Sequence, residues 1–473
     1  MIMRVLSNIK PEAVFYYFED ICSIPHGSGN TKQISDYCVN FAIEHGLDCF
    51  TDNLNNVIIR KPASAGYELH PTVILQGHLD MVCEKLPDCD INFETDSLSI
   101  ATDGDYIYAK GTTLGGDDGI AIAMILAILA DNSIIHPEIE AVFTVDEETG
   151  MFGAEALDTS VLRGQTLINL DSEQMGVITV SCAGGARADL TVPLTRKKIN
   201  SPCYQITVGG LIGGHSGTEI NRGRLNANKL MGELLSNITV PYSIVSVDGG
   251  NKDNVIPREC RCVISTTENG KIGVNEFIES HKCDFEPNLT ISVNPVEQHD
   301  SAFDYDSTRK LVEFINVLPN GVIRMSDDID MLVQTSLNLG VLRSNETDIN
   351  ASFAVRSSVS SDKAELIRLL HDICNTFGGS FNEYGHYPAW EYRKQSRLRN
   401  TMVDVYTDMF GEKPQIEAIH AGLECGIFAS RIKNFDAVSI GPNLYDIHTA
   451  RERLSISSTK ALYEYLIQVL IKL

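Results

Sequence analysis

A histidine and a carboxylate follow a strand-like run near residue 75. In "VILQGHLDMVCEK", residues 73–85, apolar residues typical of a buried strand lead directly to His78 and Asp80. Imidazole and carboxylate groups are ligands that borderline metal ions accept. The pair alone is weak evidence, because a short His-x-Asp pattern at a strand end usually has no function.

Four further segments place acidic or imidazole side chains at the ends of predicted elements. These side chains are Asp117 and Asp118 after "KGTTLGG", Asp146, Glu147 and Glu148 after "AVFTV", Asp171 after "LINL", and His448 after "AVSIGPNLYDI". Each has an ordinary alternative: an acidic helix start, a surface acid run, a strand stop or a loop histidine. Their shared strand-end position favours one site, because ligands of open α/β sheets gather beyond the carboxyl ends of strands.

Clustered carboxylates repel one another and resist leaving water, so a buried group of them needs compensating charge. A pair of divalent cations would supply it. Two histidines with several carboxylates suit Zn²⁺ better than Ca²⁺ or Mg²⁺, which favour oxygen-only shells. Two such ions about 3.5–4 Å apart can share a carboxylate and activate a water at neutral pH. The residues therefore predict a metal site.

Composition limits the classes of partner. The formal charge of −25 argues against nucleic acid or an anionic membrane, because phosphate binding needs a basic face. No signal-peptide pattern and no run of about 18 apolar residues is present. The 12 cysteines are scattered without a Cys-x-x-Cys pair. We expect a cytoplasmic protein with reduced thiols and neither nucleic-acid nor membrane partners.

The chain of 473 residues is long enough for two domains. Strand-like runs such as "NVIIRKP", "TVILQGH" and "IEAVFTVDEE" alternate with helical patterns, which indicates an α/β sheet with a substantial parallel component. "DDGIAIAMILAILADN" is apolar almost all round, as in a helix buried against a sheet.

From about residue 186 the pattern changes to alternating strands, such as "ARADLTVPL" and "INASFAVRSS", typical of an antiparallel sheet. From about 395 the first pattern returns. Two consecutive domains with a C-terminal extension are one interpretation. We favour a discontinuous domain, in which residues 1–185 and 395–473 form an α/β catalytic unit with a mixed, largely parallel sheet and helices on both faces. Residues 186–394 would then be an inserted α+β domain that acts as a lid or a dimerisation surface.

The motifs "GHLDMV", "KGTTLGGDDGIAIA", "VDEETGMFGA", "NLDSE" and "HTARERLSI", in this order, resemble the aminoacyl-histidine dipeptidases (Xaa-His dipeptidases, peptidase D). These belong to the co-catalytic zinc exopeptidases, which include carnosinases, aminoacylases and peptidase T. The likeness continues through "GGLIGGHSGTEINRGRLNANK", "NASFAVRSS" and "HAGLECG", and so covers almost the whole chain.

The resemblance implies a role for each matching residue. His78 would bind one metal ion and His448 the second, Asp117 would bridge both, and Glu148 and Asp171 would be terminal ligands, one on each metal. Asp80 would orient the imidazole of His78. Glu147 would be the general base that takes a proton from a water activated by the metal pair and returns it to the leaving amine.

The inserted region contributes two substrate-binding candidates by resemblance. His215 in "GGHSG" would help stabilise the oxyanion, often across a dimer, and Arg356 in "FAVRSS" would grip the terminal carboxylate with its planar fork. Each also has a structural alternative, a glycine turn and a strand-edge cation. Asp118 departs from the family pattern, and this extra carboxylate leaves manganese and cobalt as alternatives to zinc.

We therefore expect a metallo-dipeptidase, a homodimer, that hydrolyses Xaa-His dipeptides, including β-Ala-His, with two divalent ions. The alternatives are a related deacylase or a broader di- or tripeptidase, and a metal-binding scaffold without activity. The presence of Glu147 weighs against the scaffold. The sequence assigns no chemistry to His420 or Glu424.

Overall fold

The computed structural model describes residues 4–267, 274–281 and 284–473. The chain divides into two compact units. Unit 1 comprises Met1–Ser181, Tyr392–Ala418 and Leu423–Leu473, and unit 2 comprises Cys182–Glu391 and Ile419–Gly422. Unit 1 is thus built from segments that are distant in the sequence.

Helices occur in both units, and several begin at a side chain that caps the backbone. Ser396, for example, accepts a hydrogen bond from the N–H of Arg399, and Ser455 does the same for Ser458. The helices are α1 (Glu12–Cys22), α2 (Lys32–Glu44), α3 (Gly116–Ala130), α4 (Phe152–Ala156), α5 (Ala227–Asn237), α6 (Val274–His281), α7 (Tyr305–Val317), α8 (Ser360–Thr376), α9 (Arg397–Phe410), α10 (Glu424–Arg431) and α11 (Ile456–Lys472).

The strands are β1 (Asp48–Thr51), β2 (Val57–Lys61), β3 (Val73–His78), β4 (Ile100–Asp103), β5 (Tyr106–Ala109), β6 (Ile139–Thr144), β7 (Thr166–Asn169), β8 (Val177–Cys182), β9 (Gly184–Pro193), β10 (Arg196–Lys198), β11 (Cys203–Gly209), β12 (Gly214–His215), β13 (Ser243–Gly249), β14 (Val255–Ile256), β15 (Cys260–Ser265), β16 (Thr290–Val296), β17 (Ser301–Phe303), β18 (Gly321–Met325), β19 (Val333–Ser344), β20 (Asp348–Ser357), β21 (Ser380–Tyr387), β22 (Gln415–Ile419), β23 (Asp436–Ser439), β24 (Leu444–Tyr445) and β25 (Arg453–Ser455).

The main sheet of unit 1 has eight strands in the order β1-β2-β6-β3-β7-β23-β8-β22. The central strands β6, β3, β7 and β23 are mutually parallel. β1 and β2 extend the sheet in antiparallel fashion. All residues of β3 and β6 are buried, as expected for parallel strands covered on both faces. A smaller sheet has the order β24-β25-β5-β4.

Helix α3 is the buried helix that the sequence predicts. Its residues 118–129 are all buried, and it packs against both β3 and α1. At its first turn Asp117 has φ −82° and ψ 103°, and Asp118 has φ −119° and ψ 22°, so regular helical geometry begins only after Asp118. The two aspartates therefore lie in a non-helical entry to the helix.

Unit 2 contains a nine-stranded sheet with the order β16-β11-β15-β13-β19-β20-β9-β21, with β18 paired to β19. Its central strands pair antiparallel. Apolar side chains from this sheet and from α5, α7 and α8 form one hydrophobic core. The mixed, largely parallel sheet and the separate antiparallel sheet confirm the predicted fold class.

None of the helices in the described residues is long and apolar enough to cross a membrane. Most cysteines in the described ranges are buried.

Candidate active site

The central strands of the unit 1 sheet end at one edge, and the predicted ligands follow those ends. His78, the last residue of β3, lies opposite Thr144 of β6. Asn169 of β7 lies opposite Gln76 of β3 and Ser439 of β23. Since parallel strands in register end together, the residues that follow them meet at one edge.

His78 faces two carboxylates at this edge. Its Nε2 atom lies 3.1 Å from Oδ1 of Asp117 and 3.7 Å from Oδ1 of Asp171. The imidazole is 1 % exposed, and the two carboxylates are 12 % and 13 % exposed. Carboxylate oxygens from the first turn of α3 and from the segment after β7 thus lie close to the same ring nitrogen.

His448 completes a second group around the other oxygen of the same aspartate. Its Nε2 atom lies 3.1 Å from Oδ2 of Asp117 and 2.9 Å from Oε1 of Glu148. His448 has a positive φ of 59°, in a loop that follows β24. Asp117 therefore directs one oxygen toward each imidazole, as a bridging carboxylate would.

The donor set fits two metal ions. From zinc–nitrogen and zinc–oxygen bond lengths, neighbouring ligand atoms in a tetrahedral site lie roughly 3.3 Å apart. The distances from the two imidazoles to their carboxylates, 2.9–3.7 Å, bracket this spacing. Oε1 of Glu148 is buried and, apart from the His448 ring nitrogen 2.9 Å away, has no hydrogen-bond partner in the described residues, so a lone pair remains available. The residues present therefore suit a pair of divalent cations.

The charges around Asp117 support the same conclusion. Burial alone would raise the pKa of Asp117, but hydrogen bonds with His448 and His78 hold it below its ordinary value. Hydrogen bonds with Asp117 and Glu148 raise the pKa of His448 to about 10. The carboxylates demand positive charge, and protons on the imidazoles provide it when no metal ion does.

Asp80 contacts His78 and also holds the acidic segment after β6. Nδ1 of His78 lies 2.9 Å from the main-chain oxygen of Asp80 and 3.5 Å from its Oδ1. The Asp80 carboxylate accepts hydrogen bonds from the N–H groups of Glu147 at 3.0 Å and Glu148 at 3.3 Å, and from Ser28 Oγ at 2.7 Å. One residue thus relates the His78 ring to the position of both glutamates.

Glu147 lies beside the donor set. Burial raises its pKa well above the ordinary value, and the nearby carboxylates of Asp171, Glu424 and Glu148 raise it further, while His78 opposes them. A carboxyl group in such surroundings takes up a proton more readily than an exposed glutamate does. This is the property required of a group that accepts and then returns a proton.

Asp118 is fully enclosed in the same region. Its Oδ2 accepts a hydrogen bond from the N–H of His78 at 3.1 Å, and its carboxylate falls in one potential ligand group with His78 and Asp171. Burial raises its pKa well above the ordinary value, and Asp171 adds to the rise. One of its oxygens is thus engaged in fixing the end of β3.

A buried polar network beneath the site involves a residue to which the sequence assigned no chemistry. Oε2 of Glu424, at the start of α10, accepts from Gln76 Nε2 at 2.6 Å and from Thr144 Oγ1 at 2.7 Å. Gln76 in turn accepts from Asn169 Nδ2 at 2.7 Å. The network ties α10 to the carboxyl ends of β3, β6 and β7.

The two predicted substrate-binding residues belong to unit 2. Nδ1 of His215 accepts hydrogen bonds from the N–H groups of Gly217 and Thr218, both at 3.3 Å. Burial lowers its pKa, and the charge of Arg356 lowers it further. The ring is therefore neutral with its proton on Nε2, so it can donate a hydrogen bond.

Arg356 lies in a row of residues that crosses four strands of the unit 2 sheet. Ser336, Arg356, Gly185 and Tyr387 are successive cross-strand partners on β19, β20, β9 and β21. A Cβ atom at Gly185 would lie 2.3 Å from the Tyr387 ring, so the missing side chain lets the tyrosine lie across β9. Nη1 of Arg356 donates to the Tyr387 hydroxyl at 2.8 Å, and its buried Nε has no partner in the described residues.

His420 flanks this row. Its Nε2 is 2.7 Å from Oγ of Ser336, and burial together with the charge of Arg356 lowers its pKa to about 3. It is a neutral imidazole beside a guanidinium. The sequence pointed to it only through its place in "HAGLECG", and no spacing rule indicates its contact with β19.

The fold and the site together define a class, namely α/β proteins with a candidate metal centre at the carboxyl edge of the sheet. The chain belongs to peptidase family M20/M25/M40, whose sequence model matches residues 74–472. The predicted family relationship is therefore confirmed, and with it the prediction of a peptidase.

Known proteins match this chain over almost its full length. The chain is 35% identical over 480 residues to the cytosol non-specific dipeptidase of Escherichia coli K12, covering 99% of each chain. It is also 35% identical to the aminoacylhistidine dipeptidase of Vibrio alginolyticus, whose crystal structure superposes with a TM-score of 0.95 over 99% of this chain and 98% of that one. Aminopeptidase PepT of Bacillus cereus, at 14% identity and a TM-score of 0.58 over 98% of each chain, shares the fold.

Proposed function

We propose that this protein is a dipeptidase that uses two divalent metal ions. The proposed ligands are His78 and Asp171 for one ion, His448 and Glu148 for the other, and Asp117 for both. The observation that carries the proposal is the placement of Asp117, whose two oxygens each lie 3.1 Å from a different imidazole nitrogen.

The proposed metal is zinc. Mixed nitrogen and oxygen donors suit Zn²⁺, and manganese and cobalt accept similar ligands. When bound, such a pair lowers the pKa of water at the site and polarises the scissile carbonyl. Metal analysis of the purified protein, followed by reconstitution of the metal-free form with each ion, tests this choice.

Glu147 is proposed as the general base, and Asp80 as the residue that orients the imidazole of His78. Glu147 would accept the proton of the attacking water and then donate a proton to the leaving amine. The hydrogen bonds from the N–H groups of Glu147 and Glu148 to Asp80 support this division of roles, because they fix the backbone of both glutamates.

His215 and Arg356 are proposed to bind the substrate. A neutral His215 with its proton on Nε2 can donate a hydrogen bond to an oxyanion. This hydrogen bond strengthens as charge develops on that oxygen. The guanidinium of Arg356, held on one side by Tyr387, can bind the terminal carboxylate of a dipeptide.

The proposed substrates are unblocked dipeptides, preferably Xaa-His. The name of the Vibrio relative supports that preference, whereas the name of the Escherichia coli relative favours a broader range. A panel of Ala-His, β-Ala-His, Gly-Leu and an N-acetyl amino acid separates the alternatives. Equal kcat/KM for Ala-His and Gly-Leu would replace the Xaa-His preference with broad dipeptidase activity. Activity on the acylated compound alone would replace dipeptidase with deacylase.

We further propose that the protein acts in the cytoplasm as a homodimer formed through the inserted domain. The word "cytosol" in the name of the Escherichia coli relative supports the first part. The second part comes from the family resemblance. Sedimentation of the purified protein at several concentrations tests it, and a monomer at every concentration would contradict it.

A further inference from the structure

Glu452 is a buried acid whose carboxylate faces backbone N–H groups just before the proposed bridging ligand. The residue is 2 % exposed. One of its oxygens accepts from Leu114 at 2.7 Å and Gly115 at 3.2 Å. The other accepts from Gly116 at 2.8 Å and Asp117 at 3.3 Å. One side chain therefore gathers four consecutive amides at the entry to α3.

The same residue belongs to the segment that carries the other histidine ligand. Glu452 lies shortly after His448, and its own N–H donates to the main-chain oxygen of Thr449 at 3.1 Å. It directly precedes β25, which pairs with both β5 and β24. Glu452 thus joins a paired strand, the His448 loop and the Asp117 loop.

The contact leaves little space for a side chain at Gly116. A Cβ atom at Gly116 would lie 2.8 Å from Cδ2 of Leu444 and 3.2 Å from Oε1 of Glu452. Because position 116 has no side chain, the carboxylate reaches the amides of Gly116 and Asp117 directly.

We propose that Glu452 is a positioning residue that sets Asp117 relative to His448, and through Asp117 controls the affinity for both metal ions. The inference rests on the proposed two-metal function. A carboxylate is required because it has only acceptor atoms, whereas an amide side chain would place an NH₂ donor against backbone N–H donors. Residues that fix metal ligands from behind contribute about 10- to 100-fold to metal affinity.

The test compares Glu452→Gln with Glu140→Gln as a matched control. Glu140 is also fully buried, and it accepts from the N–H groups of Arg163 at 2.8 Å and Gly164 at 2.9 Å and from Arg60 Nε at 3.0 Å. It lies near the start of β6, at the end of that strand opposite the site. Both substitutions therefore remove one charge and disturb backbone hydrogen bonds in the same unit.

The readouts are the number and affinity of bound Zn²⁺, measured by competition with a chromophoric chelator, and the unfolding midpoint of the metal-free protein. We expect Glu452→Gln to weaken binding of both ions about 10- to 100-fold. Glu140→Gln should lower the unfolding midpoint and leave zinc affinity unchanged.

Unchanged zinc affinity in Glu452→Gln would overturn the proposal, as would an equal loss of affinity in the control. If Glu452→Gln does not fold, Glu452→Asp takes its place: it keeps the charge but reaches fewer amides, so its zinc affinity should also fall. A wild-type protein that binds no zinc pair would instead refute the proposed metal function, and the two failures are therefore distinguishable.

Discussion

Replacement of Glu147 by glutamine tests the proposed division of roles at the site. The substitution removes the group that would accept the proton and preserves the size of the side chain. A positioned general acid–base contributes about 10²- to 10⁴-fold to rate. At about 1.36 kcal/mol per tenfold, this corresponds to roughly 2.7–5.4 kcal/mol in the activation free energy. We therefore expect kcat to fall by about 10²- to 10⁴-fold.

Metal binding should survive the same substitution. The close contacts of the two imidazole Nε2 atoms within the described residues involve Asp117, Asp171 and Glu148, and none involves the Glu147 side chain. The hydrogen bond from residue 147 to Asp80 comes from the backbone and remains in the variant. We therefore expect two bound zinc ions, with affinity changed by less than the roughly tenfold effect of losing a group that supports a ligand.

The assay pairs steady-state hydrolysis of Ala-His at saturating zinc with direct counting of bound metal. Glu148→Gln is the matched control, and it should lose affinity at one site, because Oε1 of Glu148 lies 2.9 Å from His448 Nε2. Turnover of Glu147→Gln within tenfold of the unmodified enzyme would refute Glu147 as the base. Loss of a metal ion from Glu147→Gln would show that the two glutamates have been assigned the wrong way round.

Three further predictions concern the substrate site and the protons of the metal-free protein. Arg356→Lys should raise KM about tenfold or more with a smaller change in kcat, because one ammonium cannot reproduce a two-pronged carboxylate contact; equal KM values would exclude this role. Gly185→Ala should raise KM in the same way, since its Cβ would lie 2.3 Å from the Tyr387 ring that holds Arg356, and an unchanged KM would contradict that dependence. Loading with zinc at pH 7 should release about two protons per chain, because the pKa of His448 is raised to about 10 and that of His78 well above its ordinary value, whereas an imidazole must be neutral to bind a metal ion. Zinc affinity should accordingly increase with pH until the pH reaches the His448 pKa. Calorimetry in buffers of different ionisation enthalpy measures the proton release, and its absence would contradict this prediction.

The parallel strands and the buried helix could be predicted because their signals are local. Val73, Ile74 and Leu75 mark a strand covered on both faces, and the apolar run after Asp118 marks a helix without a solvated side. The edge at which ligands collect followed from the general rule for open α/β sheets. Residue type and position relative to strand ends were therefore sufficient to propose the donor set.

Contacts between residues distant in sequence could not be predicted in this way. Glu452 meets Leu114 across 338 positions, and Glu424 meets Gln76 across 348. Neither glutamate lies in a motif that predicts its hydrogen-bond partner. The Tyr387 ring reaches Arg356 only because β21, β9 and β20 are aligned with a glycine between them.

The sequence by itself determined which side chains could bind metal ions and which local elements would carry them, because side-chain chemistry and backbone periodicity are properties of short segments. Tertiary structure alone decided that Asp117 directs one oxygen to His78 and the other to His448. It also decided that Glu452 accepts a hydrogen bond from the backbone of Asp117, and Asp80 one from the backbone of Glu147. Such distances depend on the register of strands and the packing of loops from three remote parts of the chain, and no local pattern encodes them.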